Sequence, residues 1–131
     1  MTTAMPLALS DTLLGADITT VGARLGPPLD CREVGEELHL AYLAADGRHV
    51  PDGIVLVDGV VVRERPGLHS LPTLQGYWIG QPIERMLPTF GAVQSMTRHL
   101  VMDELQFAAW RVCVHEGRIV LAQPRQLTRA S

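Results

Sequence analysis

The chain has 131 residues, 47% of them hydrophobic, with 11 basic and 14 acidic side chains and a formal net charge of -3. That length supports one ordinary core, and an acidic balance without a basic patch excludes charge-driven polyanion binding, so no nucleic-acid partner is expected. All eleven basic residues are arginines, which excludes chemistry that needs a lysine amine, such as a Schiff base or a phosphate-loop lysine.

The opening stretch, MTTAMPLALSDTLLG, lacks a basic start, an apolar run of secretory length and a cleavage site, so a bacterial, cytoplasmic protein is expected. No stretch approaches the roughly 20 apolar residues that span a bilayer, and no membrane partner is expected. The first element is a short helix from about Ile18 to Leu25, where Ile18, Val21 and Leu25 share one face and Gly26 suits the position after a helix end. The acidic run Glu33, Glu36, Glu37 reads as a solvated turn before a strand from about Glu37 to Leu43. A hairpin follows, Ile54 to Val57 with Val60 to Glu64, turning at Asp58-Gly59.

Residues 65–78, RPGLHSLPTLQGYW, combine turn formers with apolar side chains and are expected as an ordered apolar link running across the sheet. A second helix is expected from about Pro82 to Leu87, with proline at a tolerated first-turn position. Strands are then expected over about His99 to Met102, Leu105 to Val114 and Arg118 to Ala122, the last two joined by a Glu116-Gly117 turn.

These elements repeat. LGADITTVGARLG (Leu14 to Gly26) aligns without a gap on IGQPIERMLPTFG (Ile79 to Gly91), at a shift of 80 minus 15, or 65. IVLVDGVVV (Ile54 to Val62) aligns on VCVHEGRIV (Val112 to Val120), with Gly59 on Gly117 at a shift of 58. The fold class is therefore read as α+β: two fused repeats, about 14–64 and 79–122, each a short helix followed by an antiparallel β-meander. Units of about 50 residues are too small for a dependable core alone, so they should share one core or sheet within a single domain, 1–131.

The glycine, short helix, LGPP (Leu25 to Pro28) and hairpin ending DGVVV (Asp58 to Val62) resemble the small outer-membrane lipoprotein of the β-barrel assembly machinery. Two such units in tandem are similar to the β-lactamase inhibitor proteins, a resemblance that implies two helix-plus-sheet repeats forming a concave binding face. The chain departs from both families in lacking an export signal, a lipidated cysteine and matching cysteine pairs. Cys31 and Cys113 are read as small packed hydrophobes rather than a disulfide.

What the resemblance implies is a non-catalytic protein-binding or inhibitory module, with aromatic and arginine anchors on a rigid sheet face. The partner is another protein or a second copy of the chain, and an immunity-like role is one version of this. The partner-binding candidates are Tyr42, Arg63, Tyr77, Trp78, Trp110 and Arg111. Tyr77 and Trp78 are neighbours in an extended segment and point oppositely, so one is expected to be exposed. Trp110, Val112 and Val114 should face one side of a strand and Arg111, Cys113 and His115 the other; Trp110 is read as core, with a partner contact as the alternative.

The five histidines are scattered, with no HxH or HExxH arrangement, and no GxSxG, glycine-rich phosphate loop or CxxC occurs. No catalytic residue, metal or cofactor is expected. The competing class is a small-ligand-binding protein or enzyme using a pocket between the repeats.

Overall fold

The computed structural model describes residues 12–69 and 78–125. The elements run α1 (Ile18–Leu25), β1 (Asp30–Val34), β2 (Glu37–Ala44), β3 (His49–Val57), β4 (Val60–Glu64), β5 (Leu68–His69), α2 (Ile83–Phe90), β6 (Ser95–Arg98), β7 (Asp103–Gln106), β8 (Trp110–His115) and β9 (Arg118–Pro124). The protein is α+β, with two antiparallel sheets of consecutive strands, β1-β2-β3-β4 and β6-β7-β8-β9. Strand β5 adds to β2 at Leu43 and Ala44, beyond the Asp30–Ala41 pair where β1 begins.

Helix α1 starts where the Asp17 side chain accepts the Thr20 N–H at 2.9 Å, satisfying one orphan donor of the first turn. Its inward residues Ile18, Val21, Gly22 and Leu25 are all buried. It stops at Gly26, φ 73°, whose N–H donates to the Gly22 carbonyl, and the two prolines that follow cannot continue it. Helix α2 is weaker: it has no side-chain cap, carries Pro88 inside, and buries only Phe90.

The same backbone pattern joins each helix entry to the hairpin of its own sheet. Gly15 N–H donates to Val61 O and Val61 N–H to Ala16 O, both at 2.9 Å; Gly80 N–H donates to Ile119 O at 2.8 Å and Ile119 N–H to Gln81 O at 3.0 Å. Asp17 bridges Val60 just as Pro82 bridges Arg118. These pairs keep the spacings 65 and 58 seen in the sequence. Both hairpin turns place two residues at positive φ, Asp58 and Gly59 at 54° and 81°, Glu116 and Gly117 at 55° and 75°, the conformation a tight two-residue hairpin requires.

Three strand expectations need correction. Residues His99–Met102 form the turn between β6 and β7, closed by the His99 N–H to the Met102 carbonyl at 2.9 Å, and the strand lies before it at Ser95–Arg98. The single strand expected from Leu105 to Val114 is two, β7 and β8, folded back at Phe107–Ala109 with the Phe107 N–H on the Trp110 carbonyl. Strand β1 was not foreseen; its Cys31 is the one residue there with a side chain in the core. Of the link 65–78, residues 70–77 lie outside the described residues.

One hydrophobic cluster takes residues from both halves, including Ile18, Leu40 and Ile54 from the first and Val112, Ile119 and Leu121 from the second. Helix α1 can approach the second half closely because Gly22 and Gly80 lack side chains. A Cβ on Gly22 would lie 2.7 Å from the Ile79 side chain, and one on Gly80, φ 89°, would lie 2.5 Å from the Thr19 Cα.

Candidate functional site

The second sheet has two chemically different faces. On one, Met96, Leu105, Val112 and Ala122 align across the four strands. Near them lies an aromatic clasp: Trp78 meets Phe90 edge-on at 5.1 Å and Trp110 at 4.7 Å, and Phe90 lies 5.2 Å from Phe107. On the other face the register brings Ser95, Gln106, Arg111 and Gln123 into one row, with Thr97, Glu104, Cys113 and Leu121 in the next. In the first row Ser95 is exposed and Gln106, Arg111 and Gln123 are half-buried, whereas Cys113 and Leu121 are fully covered.

The first row is held rigid by its own hydrogen bonds. Arg111 Nε donates to Glu104 Oε2 at 2.6 Å and one terminal nitrogen donates to Gln123 Oε1 at 3.2 Å. Gln123 Nε2 donates in turn to the Leu29 carbonyl of the first half at 3.0 Å. Gln106 Nε2 also donates to Glu104, and His99 Nε2 lies 3.3 Å from its other oxygen. The Arg111 hydrogen bond holds the Glu104 carboxyl below its ordinary range against the opposing effect of burial. Burial is the largest single effect on Arg111 and works against its charge, but the bond to Glu104 and the attraction of neighbouring groups together outweigh it.

Beside this row the halves are locked together. The Glu33 carboxylate accepts three successive backbone N–H groups, Leu100 at 3.1 Å, Val101 at 2.6 Å and Met102 at 2.9 Å. His115, 1% exposed, accepts the Gly59 N–H at Nε2 (2.9 Å) and lies 2.6 Å from the Val101 carbonyl at Nδ1, so the neutral Nδ1–H tautomer satisfies both partners. Thr19 Oγ1 and an Arg118 terminal nitrogen both donate to the Gly80 carbonyl, at 3.2 and 2.7 Å. Sequence reading missed Glu33: it is an acceptor for a turn 67 residues away and not a solvated turn residue. Only the three-dimensional approach of β1 to the β6–β7 turn reveals that role.

The expected anchors fall into separate environments. Tyr42 is 0% exposed and its hydroxyl donates to the Gly26 carbonyl at 3.2 Å; burial raises the pKa of its hydroxyl. Trp78 is 7% exposed in the aromatic clasp. Neither ring can anchor a partner on this surface, because each fills the core that its own unit needs. Trp110 is half-buried against Trp78 and Phe90, on the face opposite Arg111. Tyr77 lies outside the described residues. Arg63 is exposed on the first sheet and pairs in a fork with Glu37, at 3.1 and 3.0 Å, far in register from Arg111. Of the five candidates among the described residues, Arg111 alone sits in the partly exposed row of mutually ordered polar side chains.

That Arg63 fork has a measurable consequence. Arg63 first and His39 second hold the Glu37 carboxyl at about 2, below its ordinary value of 4.5. A depressed folded-state pKa stabilises above the unfolded value and is lost on acidification, so this contribution is present above about 4.5 and disappears as pH falls towards about 2. Asp52, lowered by Arg65, adds in the same direction. The melting temperature should therefore fall through this window, and Arg63→Gln should flatten the fall; an unchanged acid profile in Arg63→Gln would contradict the pairing.

A cleft of about 390 Å³ lies beside the lock, lined by residues that include Asp58, Arg98, His99, Asp103 and His115. Its polar groups are largely paired: Arg98 with Asp103 at 3.4 Å, His99 with Glu104, and His115 at both nitrogens. Among the described residues, no three His, Cys, Asp or Glu side chains are grouped to hold a metal, and no helix is long and apolar enough to cross a membrane. No family model, no curated protein and no solved structure matches the chain.

Proposed function

We propose that the chain is a non-catalytic protein-binding module, a tandem duplication of a helix-plus-sheet unit, that contacts another protein through a partly exposed row of polar side chains on its second sheet. The observation that carries this reading is the Ser95, Gln106, Arg111, Gln123 row. Its side chains stand on strands and are already ordered by Glu104 and the Leu29 carbonyl, so little conformational entropy remains to be lost on association. Arginine with few rotamers left free is the type of residue that dominates binding energy.

An inhibitory or immunity-like action follows from steric cover alone, as the resemblance to the β-lactamase inhibitor proteins implies. The test is affinity capture from source cells with the full chain, alongside Ser95→Arg combined with Gln106→Arg. Wild type should retain a specific protein and the double variant should lose it at least about tenfold, or about 1.4 kcal/mol, with an unchanged melting temperature. Equal capture by both, or no specific capture by wild type, contradicts the proposal.

A further inference from the structure

Strand β6 is a sheet edge left open. The other edge of its sheet, β9, is bonded at Ile119 by the Gly80 and Gln81 backbone, and the β4 edge of the first sheet is bonded at Val61 by Gly15 and Ala16. Strand β6 pairs only with β7, without a register shift, and all four of its residues are exposed, Met96 by 50%. The His99 N–H donates inward to the Met102 carbonyl. Hydrogen-bonding residues alternate along an antiparallel strand, so Thr97 and Ser95 also bond inward, while Met96 and Arg98 direct their N–H and C=O groups away from the sheet. No proline and no inward-pointing charge, devices that protect an open edge, stand in this strand. We propose that β6 pairs antiparallel with β6 of a second copy of this chain, around a two-fold axis through Thr97.

The register follows from charge. A pair centred on Arg98 would set two guanidinium groups directly opposite each other. One centred on Met96 would set Arg98 opposite Gln94, whose side-chain oxygen already holds Arg125 at 2.9 Å, and so again brings two arginines together. Centring on Thr97 sets Thr97 opposite Thr97, a favourable cross-strand pair, and Arg98 opposite Met96. The Arg98 charge keeps its own Asp103 partner at 3.4 Å, which leaves the methylene stem to cover the exposed thioether. The two Met96–Arg98 pairs satisfy the outward backbone groups of both strands with about four hydrogen bonds. The axis stands perpendicular to the sheet, so the two polar rows that end at Ser95 lie on the same side of one continuous sheet. A partner of the kind proposed above would meet two copies of that row, but the pairing itself needs no foreign protein.

The test uses the pure full chain, so its outcome is separate from that of the capture experiment. In sedimentation equilibrium the mass should rise from monomer towards dimer as concentration approaches about 1 mM, the range expected of so small an interface. Met96→Pro removes an outward donor from each copy, leaves the bonds to β7 in place and should weaken dimerisation at least about tenfold. Thr97→Cys sets two cysteines in a non-hydrogen-bonded pair, with Cα atoms about 4.5 Å apart, within reach of a disulfide. Under oxidised glutathione it should give a covalent dimer. Wild type, whose two cysteines are buried, and Arg48→Cys in the exposed β2–β3 turn should not.

A wild type that stays monomeric up to about 1 mM overturns the proposal. So does a folded Met96→Pro protein that dimerises as wild type does, or a Thr97→Cys protein that crosslinks no faster than Arg48→Cys. Should Met96→Pro unfold, the Thr97→Cys comparison decides.

Discussion

Gly80→Ala is expected to destabilise the protein by more than about 3 kcal/mol in chemical denaturation. Two effects add. Residue 80 has φ 89°, a conformation that costs a side-chain-bearing residue about 1–3 kcal/mol. The new Cβ would also lie 2.5 Å from the Thr19 Cα, a backbone atom that no rotamer change can move. Gly22→Ala separates the second effect from the first, because residue 22 is helical and alanine there is intrinsically better by about 1 kcal/mol. Its Cβ would meet Ile79 at 2.7 Å, and overpacking of this kind typically costs about 1–3 kcal/mol, so the net sign should be destabilising. A Gly80→Ala protein within about 0.5 kcal/mol of wild type would show that α1 is not seated against the second half as described.

Glu33→Ala should cost about 2–4 kcal/mol. The substitution strands three backbone donors, two of them part-buried, that share one carboxylate. Water can replace part of what is lost at Leu100, which is exposed, and less at Met102, which is buried. Glutamine is a poor substitute, since one of its two terminal atoms is a donor and would face another donor. The local readout is amide hydrogen exchange: protection at Leu100, Val101 and Met102 should collapse in Glu33→Ala while that of β3 stays close to wild type. Unchanged exchange at these three amides would remove Glu33 from the lock.

Much of the fold was legible because its local signals are physical. The apolar spacing of Ile18, Val21 and Leu25 with Gly26 gave α1 with its observed ends, and the Asp58-Gly59 and Glu116-Gly117 pairs marked both hairpins. The two sequence spacings reappear as paired hydrogen bonds at Gly15 and Gly80. Strand β6 was hidden because all four of its residues are exposed, leaving no alternation to read. The break between β7 and β8 was hidden because Phe107 is apolar and fully buried, so a continuous strand looked plausible through it.

The site was legible in part. Alternation placed Arg111 and Cys113 on the face opposite Trp110, as the register has it. Burial depth was not readable: Tyr42 and Trp78 look like surface anchors by residue type, yet each side chain completes a core. Glu104, Gln106 and Gln123 carry no motif, and their role depends on cross-strand register. The lock made by Glu33 and His115 depends on contacts 67 and 56 residues apart, for which short-range patterns hold no signal.

The most direct test of the binding face is a photo-crosslinking residue placed at position 106, in the partly exposed row, with a second placed at position 48 in the exposed β2–β3 turn as control. Irradiation in source cells should join the protein to one specific partner from position 106 and not from position 48. Crosslinks of equal yield from both positions, capture only of a second copy of the chain, or no protein adduct from position 106 would contradict a foreign-protein interface on the second sheet.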